Sequence, residues 1–192
     1  GKLFVIVLVG FLLTMITFGI YGAWFATRLM NYMADHSIAK GSDQTVYRFK
    51  YNGTGGKLFV KFLVGYLLTL ITFGIYGAWF ACDLYKYLFS NTEVVAGETK
   101  LGAFDFVGRG GEFFVIGLVG ILLTMITFGI YYAWFMTKVC KFMTTNTRAN
   151  LAGVTYAGSF GGEGGQLFVK LLVGTLLTMI TFGIYGAWFM VD

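Results

Sequence analysis

The 192-residue chain reads as an all-α membrane protein: one membrane domain, 1–192, of four tandem ~55-residue repeats, each with one transmembrane helix. Polar connectors with short β segments and Gly-rich turns join the helices. Three observations predict this. Hydrophobic residues make up 57% of the chain and charged residues only 12%, about half the charge a soluble domain usually carries. The phrase LLTMITFGIYGAWF (12–25) returns as LLTLITFGIYGAWF (67–80), LLTMITFGIYYAWF (122–135) and LLTMITFGIYGAWF (176–189). Each copy lies in a charge-free run of about 20 residues, the length a bilayer core asks of a helix.

Phe4, Phe59, Phe114 and Phe168 mark the same place in successive units, at steps of 55, 55 and 54. The units are 1–55, 56–110, 111–164 and 165–192, the last stopping after its apolar block. Self-similarity at such a period is the signature of a repeat architecture.

The first apolar block, Leu3 to Phe25, would measure about 34 Å as a continuous helix. Units 2 and 4 place Lys61 and Lys170 where units 1 and 3 hold Ile6 and Ile116. A lysine near a helix end can snorkel to the headgroups. The same two lysines are candidate contacts to a lipid phosphate or to an anionic group on a partner. After the block, 26–35 is helix-compatible. Alternating aromatics then read as short strands, Tyr47-Phe49-Tyr51 in one connector and Phe104-Phe106 in the next. Glycines close each connector: Gly53/Gly55/Gly56, Gly108/Gly110/Gly111 and Gly162/Gly164/Gly165.

If every block crosses once, connectors 1 and 3 share a side and connector 2 faces the other. Lys and Arg number eight in the first pair (28, 40, 48, 50, 57, 138, 141, 148) against three in connector 2 (86, 100, 109). That bias places connectors 1 and 3 in the cytoplasm. In the alternative topology each block turns at the Gly19 position and re-emerges on the side it entered. Single crossings are the expectation, because a re-entrant turn needs shielding by protein or water.

On a helix, Gly10, Thr14 and Thr17 share one face. The stripe repeats as Gly65, Thr69, Thr72, as Gly120, Thr124, Thr127, and as Gly174, Thr178, Thr181. Small residues let helices approach, and threonine hydroxyls can bond across or back to their own helix, so the stripe is expected to be a packing seam. The alternative is the lining of a solute path. The face continues into Tyr21 and Trp24, Tyr76 and Trp79, Tyr131 and Trp134, and Tyr185 and Trp188, where interfacial aromatic anchors belong.

Chemistry is sparse. His36 is the only histidine, Cys82 and Cys140 have no ligand spacing, and no Ser or Thr has a His for a triad. Gly53-Thr54-Gly55-Gly56 opens a helix without the Gly-Lys-Ser/Thr of a phosphate-binding loop. No catalytic, cofactor or metal residues are expected, and the chain does not read as an enzyme. The net charge of +5 is dispersed between apolar blocks, which argues against nucleic acid.

LLTxxTxGIYxxW at Leu12–Trp24, Leu67–Trp79, Leu122–Trp134 and Leu176–Trp188 is the first of three elements that make the chain resemble a family. The others are Asn91-Thr92 with Asn146-Thr147, and Phe104-Asp105-Phe106-Val107-Gly108-Arg109-Gly110. Together they resemble the YjgN-like family of bacterial inner-membrane proteins. Ala23, Ala78, Ala133 and Ala187 stand where that family often has Pro, and its Arg-rich helix is reduced here to Arg28, Asp83 and Lys138. The resemblance implies a bacterial inner-membrane location and carries no activity. The functional expectation is a non-enzymatic, multi-pass integral membrane subunit. It would be a four-helix scaffold contacting lipids and packing as a homo-oligomer or with other membrane subunits. A small transporter or channel is the alternative.

Overall fold

The first three apolar blocks each fold as two helices, and each connector as an antiparallel pair of strands. The computed structural model describes residues 2–40, 46–97 and 99–181. In chain order the elements are α1 (Lys2–Ile16), α2 (Gly22–His36), β1 (Ile38–Lys40), β2 (Val46–Tyr51), α3 (Gly55–Ile71), α4 (Gly77–Ser90), β3 (Thr92–Ala96) and β4 (Thr99–Phe106). There follow α5 (Gly110–Ile126), α6 (Tyr132–Thr145), β5 (Thr147–Leu151), β6 (Val154–Ala157) and α7 (Gly164–Ile180).

The strands form one antiparallel sheet in the order β1-β2-β3-β4-β5-β6. Strands of one connector pair with each other, and strands of successive connectors pair across the helical hairpin between them. Lys50 lies opposite Glu93 at the β2–β3 junction. Asp105 lies opposite Arg148 at the β4–β5 junction. Opposite charges facing across antiparallel strands stabilise the pairing, and like charges weaken it.

The buried residues gather where helices meet the sheet. One cluster joins Ala23, Leu58 and Tyr87; another joins Cys82, Phe106 and Phe142. Tyr87 ties α4 to the start of α3, its hydroxyl donating to the Thr54 carbonyl at 3.1 Å and accepting from the Thr54 N–H at 3.0 Å. Each described helix packs against its neighbours in sequence.

An all-α protein of single crossings is therefore not what forms. The described helices are 15 to 17 residues long in the outgoing arms, about 25 Å at most. None among the described residues is long and apolar enough to cross a membrane. Connectors 1, 2 and 3 hydrogen-bond into one sheet, with neighbouring strands about 4.8 Å apart, so they do not stand on opposite sides of a bilayer core about 30 Å thick. The charge-based orientation, with connector 2 facing away from connectors 1 and 3, falls with it. The physical reason is a left-handed break in the middle of each of the first three blocks, which charge and hydropathy do not register.

Candidate functional site

The break has the same construction in units 1 to 3. Thr17, Thr72 and Thr127 end the outgoing helix, and the next two residues are left-handed: Phe18 (φ 49°) and Gly19 (φ 89°), Phe73 (52°) and Gly74 (91°), Phe128 (51°) and Gly129 (93°). The Gly19 N–H donates to the Thr14 carbonyl at 2.7 Å and the Phe18 N–H to the Met15 carbonyl at 3.2 Å. These are the paired bonds of a Schellman helix end. Glycine usually takes the first left-handed position, and a phenylalanine there costs about 1 kcal/mol. The rings nonetheless contact little: Phe18, Phe73 and Phe128 are 97%, 97% and 98% exposed.

The threonines serve this turn. Thr14, Thr69, Thr124 and Thr178 donate to the carbonyls of Gly10, Gly65, Gly120 and Gly174 at 2.6–2.7 Å. Thr17, Thr72, Thr127 and Thr181 donate to carbonyls four residues back at 2.7 Å. The Thr17, Thr72 and Thr127 oxygens also accept the N–H of Tyr21, Tyr76 and Tyr131 at 2.9 Å. One hydroxyl thus caps the end of one helix and the start of the next.

Small and aromatic residues close the hairpins and link them. Gly10, Gly65 and Gly120 lie directly under the rings of Phe25, Phe80 and Phe135, leaving no room for a side chain. Trp24 packs on Gly55 and on Phe59 (5.4 Å between centroids), Trp79 on Gly110 and Phe114 (5.5 Å), and Trp134 on Gly164 and Phe168 (5.3 Å). Tyr21, Tyr76 and Tyr131 stack near their tryptophans. Trp24, Trp79 and Trp134 therefore each touch the first turns of the next outgoing helix. Gly174 is buried on α7, whereas Tyr185 and Trp188 lie outside the described residues.

Charge stops at one level of the hairpins. Lys61 Nζ lies 3.4 Å from Asp83 Oδ2, joining α3 to α4, and 6.0 Å from the Tyr87 ring centre. Arg28 and Lys138, at the position of Asp83, lie over Tyr21 and Tyr131 at 5.8 and 5.5 Å. Lys138 also donates to the Tyr131 hydroxyl at 2.8 Å. Lys170 is exposed on α7 at the place of Lys61. Beyond these groups, towards the Phe-Gly turns, no charge occurs between 62 and 82 or between 113 and 137. From Lys61 to Ile71 the helix advances about 15 Å, half the thickness of a bilayer's hydrocarbon core.

The surface fits that division. The chain exposes 12957 Å², where a folded monomer of 21.3 kDa would expose about 9,100 Å². Large apolar residues stand in it: Phe4, Leu8, Phe11, Met15 and Ile16 on α1 are exposed, as are Leu63, Leu70 and Ile71 on α3, Leu118, Met125 and Ile126 on α5, and Leu172, Met179 and Ile180 on α7. A helix apolar on every side belongs in a protein core or in lipid.

The sheet carries ordinary polar chemistry. Lys100 contacts Glu93 at 2.5 Å, and this hydrogen bond holds the Glu93 carboxyl below its usual range. Tyr51 is buried with no partner for its hydroxyl. Burial first, and Tyr87 second, push its phenol up to about 12. No group of three or more His, Cys, Asp or Glu that could hold a metal occurs among the described residues.

The left-handed phenylalanines and the Lys61–Asp83 pair went unread in the sequence. Two signals were present: a Phe-Gly at every tip, and an acid 22 residues after the lysine in both lysine-bearing units, Asp83 and Asp192.

Helical hairpins hung from one antiparallel sheet, with charge-free apolar ends, define the class of protein. A family of bacterial proteins of unknown function (DUF898) matches residues 46–99 and 102–159, and the chain belongs to that family. The inner membrane protein YjgN of Salmonella typhimurium is 38% identical over 76 residues, 40% of this chain and 18% of that protein. YjgN of Escherichia coli K12 is 39% identical over 70 residues, 36% of this chain and 17% of that protein. The chain thus matches less than a fifth of the length of these curated relatives. No solved structure matches it. The relatives support a membrane protein of the bacterial inner membrane.

Proposed function

We propose that the chain is a one-sided, non-enzymatic scaffold of the inner membrane. The helical hairpins seat in one leaflet, and the sheet stays at the aqueous surface on the side of entry. The observation that carries this reading is the charge-free end of each hairpin, about 15 Å deep and tipped by a phenylalanine at least 97% exposed in each described copy. The exposed faces of α1, α3, α5 and α7 are the surfaces through which it packs with itself or with other membrane proteins. A solute path along the threonine stripe draws no support, because each hydroxyl donates to its own helix. The test is photocrosslinking from position 11 or 121 in native membranes. Protein adducts, either dimers or other subunits, are expected; adducts to lipid alone, with a monomer in mild detergent, would remove the scaffold reading.

A further inference from the structure

The second hairpin differs from the first and third in having a cleft with charges of both signs at its mouth. Val60, Val64, Phe80 and Leu84 line an apolar trough of 230 Å³ between α3 and α4. Lys61 and Asp83 stand at its rim, 3.4 Å apart, with side chains 40% and 63% exposed. A second hollow shares Val60 and Lys61 and adds Lys57 and Tyr87. The two share that rim: Lys57, Lys61 and Asp83 stand at the mouth, and Val64 and Phe80 line the trough further towards the tip.

An exposed ion pair contributes little to stability by itself, so the pair is poorly explained as a brace. Its two members also come and go together. Units 2 and 4 combine Lys61 with Asp83 and Lys170 with Asp192; units 1 and 3 combine Ile6 with Arg28 and Ile116 with Lys138. Lys57 and Lys61, four residues apart, present ammonium donors on one side of a helix, and Asp83 presents an acceptor-only carboxylate. The complementary ligand has a phosphate for the lysines, a primary ammonium for the aspartate, and a hydrocarbon chain for the trough.

We propose that this cleft seats one phospholipid with a zwitterionic, primary-amine headgroup. Its phosphate lies on Lys57 and Lys61, its ammonium on Asp83, and an acyl chain along Val64 and Phe80. The proposal rests on the membrane reading above, because it puts Lys61 at headgroup level. It assigns the pair a headgroup-selecting role that an anionic lipid, repelled by Asp83, would not satisfy.

The full chain is reconstituted in vesicles of equal phosphatidylethanolamine and phosphatidylglycerol, floated, then released and weighed by native mass spectrometry. One retained phosphatidylethanolamine is expected, at least tenfold over phosphatidylglycerol. Lys61→Ile and Asp83→Lys should each abolish that preference. Both install the residue that a sister unit carries, Ile116 and Lys138, so the hairpin keeps a side chain its own architecture accepts. Val64→Trp, which fills the trough and spares the charges, should lower retention of either lipid. Retention of phosphatidylglycerol in preference, or a preference unchanged by Lys61→Ile and Asp83→Lys, overturns the proposal. A chain that floats but keeps no lipid defeats this site alone; a chain that does not float defeats the membrane reading as well.

Discussion

Replacing Phe18, Phe73 and Phe128 together by Asp attacks the feature that most needs lipid. The rings are 97–98% exposed at left-handed backbone positions. Aspartate tolerates that conformation better than phenylalanine, so the turn and its threonine caps are not weakened by the change. Insertion is another matter. Near the middle of a bilayer Phe favours transfer by about 0.3–0.6 kcal/mol and Asp opposes it by about 2.5–3.5 kcal/mol. Each tip then changes by about 3 kcal/mol, roughly 150-fold in partition, and three independent tips by about 9 kcal/mol. Chain synthesised in a cell-free system with phospholipid vesicles, then floated on a density gradient, reads this directly. The triple variant should remain at the bottom while its circular dichroism in detergent matches that of the parent. Phe→Gly at the same three positions should float better than Phe→Asp, since it removes the ring and the strain without adding charge. A triple Asp variant that floats as completely as the parent would refute insertion of the tips.

Other consequences are more local. Tyr51→Phe should stabilise the fold by about 1 kcal/mol, read as a higher thermal unfolding midpoint in detergent, because a buried hydroxyl without a partner is removed and Phe106 and Phe160 occupy the matching places under Gly108 and Gly162. Since burial lifts the Tyr51 phenol from 10.0 to about 12 in the folded chain, the unfolded phenol ionises first. Stability present below pH 10 is lost as pH rises from 10 to 12, and the Phe variant should lose less. Gly65→Leu drives a side chain into the Phe80 ring and should cost about 2–3 kcal/mol, partly regained with Phe80→Ala in the same chain. Asp105→Arg faces Arg148 with a like charge and should destabilise the fold by about 0.5–1 kcal/mol, read as a lower urea midpoint. Adding Arg148→Asp should restore the cross-strand part, though not the bond that Asp105 accepts from the Phe106 N–H.

Local features were legible in the sequence and long-range ones were not. Val46–Tyr51 and Thr99–Phe106 are strands where aromatics alternate, because a period of two is a direct imprint of the pleat. The glycine-threonine stripe did not say which element would meet it; in the first three hairpins Phe25, Phe80 or Phe135 of the returning arm lies over the glycine. A 23-residue charge-free run looks like one span because hydropathy is blind to φ. Gly19 signalled a possible turn, whereas nothing in its side chain marks Phe18 as left-handed. The sheet was hidden by distance: Lys50 and Glu93 meet across a complete helical hairpin. Lys61 and Asp83 are likewise brought together only by the return of α4 on α3, which is why the lysine alone read as a snorkelling end.

The most direct test of one-sidedness is thiol labelling in right-side-out and inverted inner-membrane vesicles. Single cysteines replace Ser37, Thr99 and Thr155, all exposed and one in each connector. The background carries Cys82→Thr, the residue that Thr27 and Thr137 place in sister units, and Cys140→Leu. The account predicts that a membrane-impermeant maleimide labels all three from the same face and none from the other. Labelling of Thr99→Cys from the face opposite to Ser37→Cys and Thr155→Cys would contradict it, because strands that pair in one sheet cannot be divided by a bilayer.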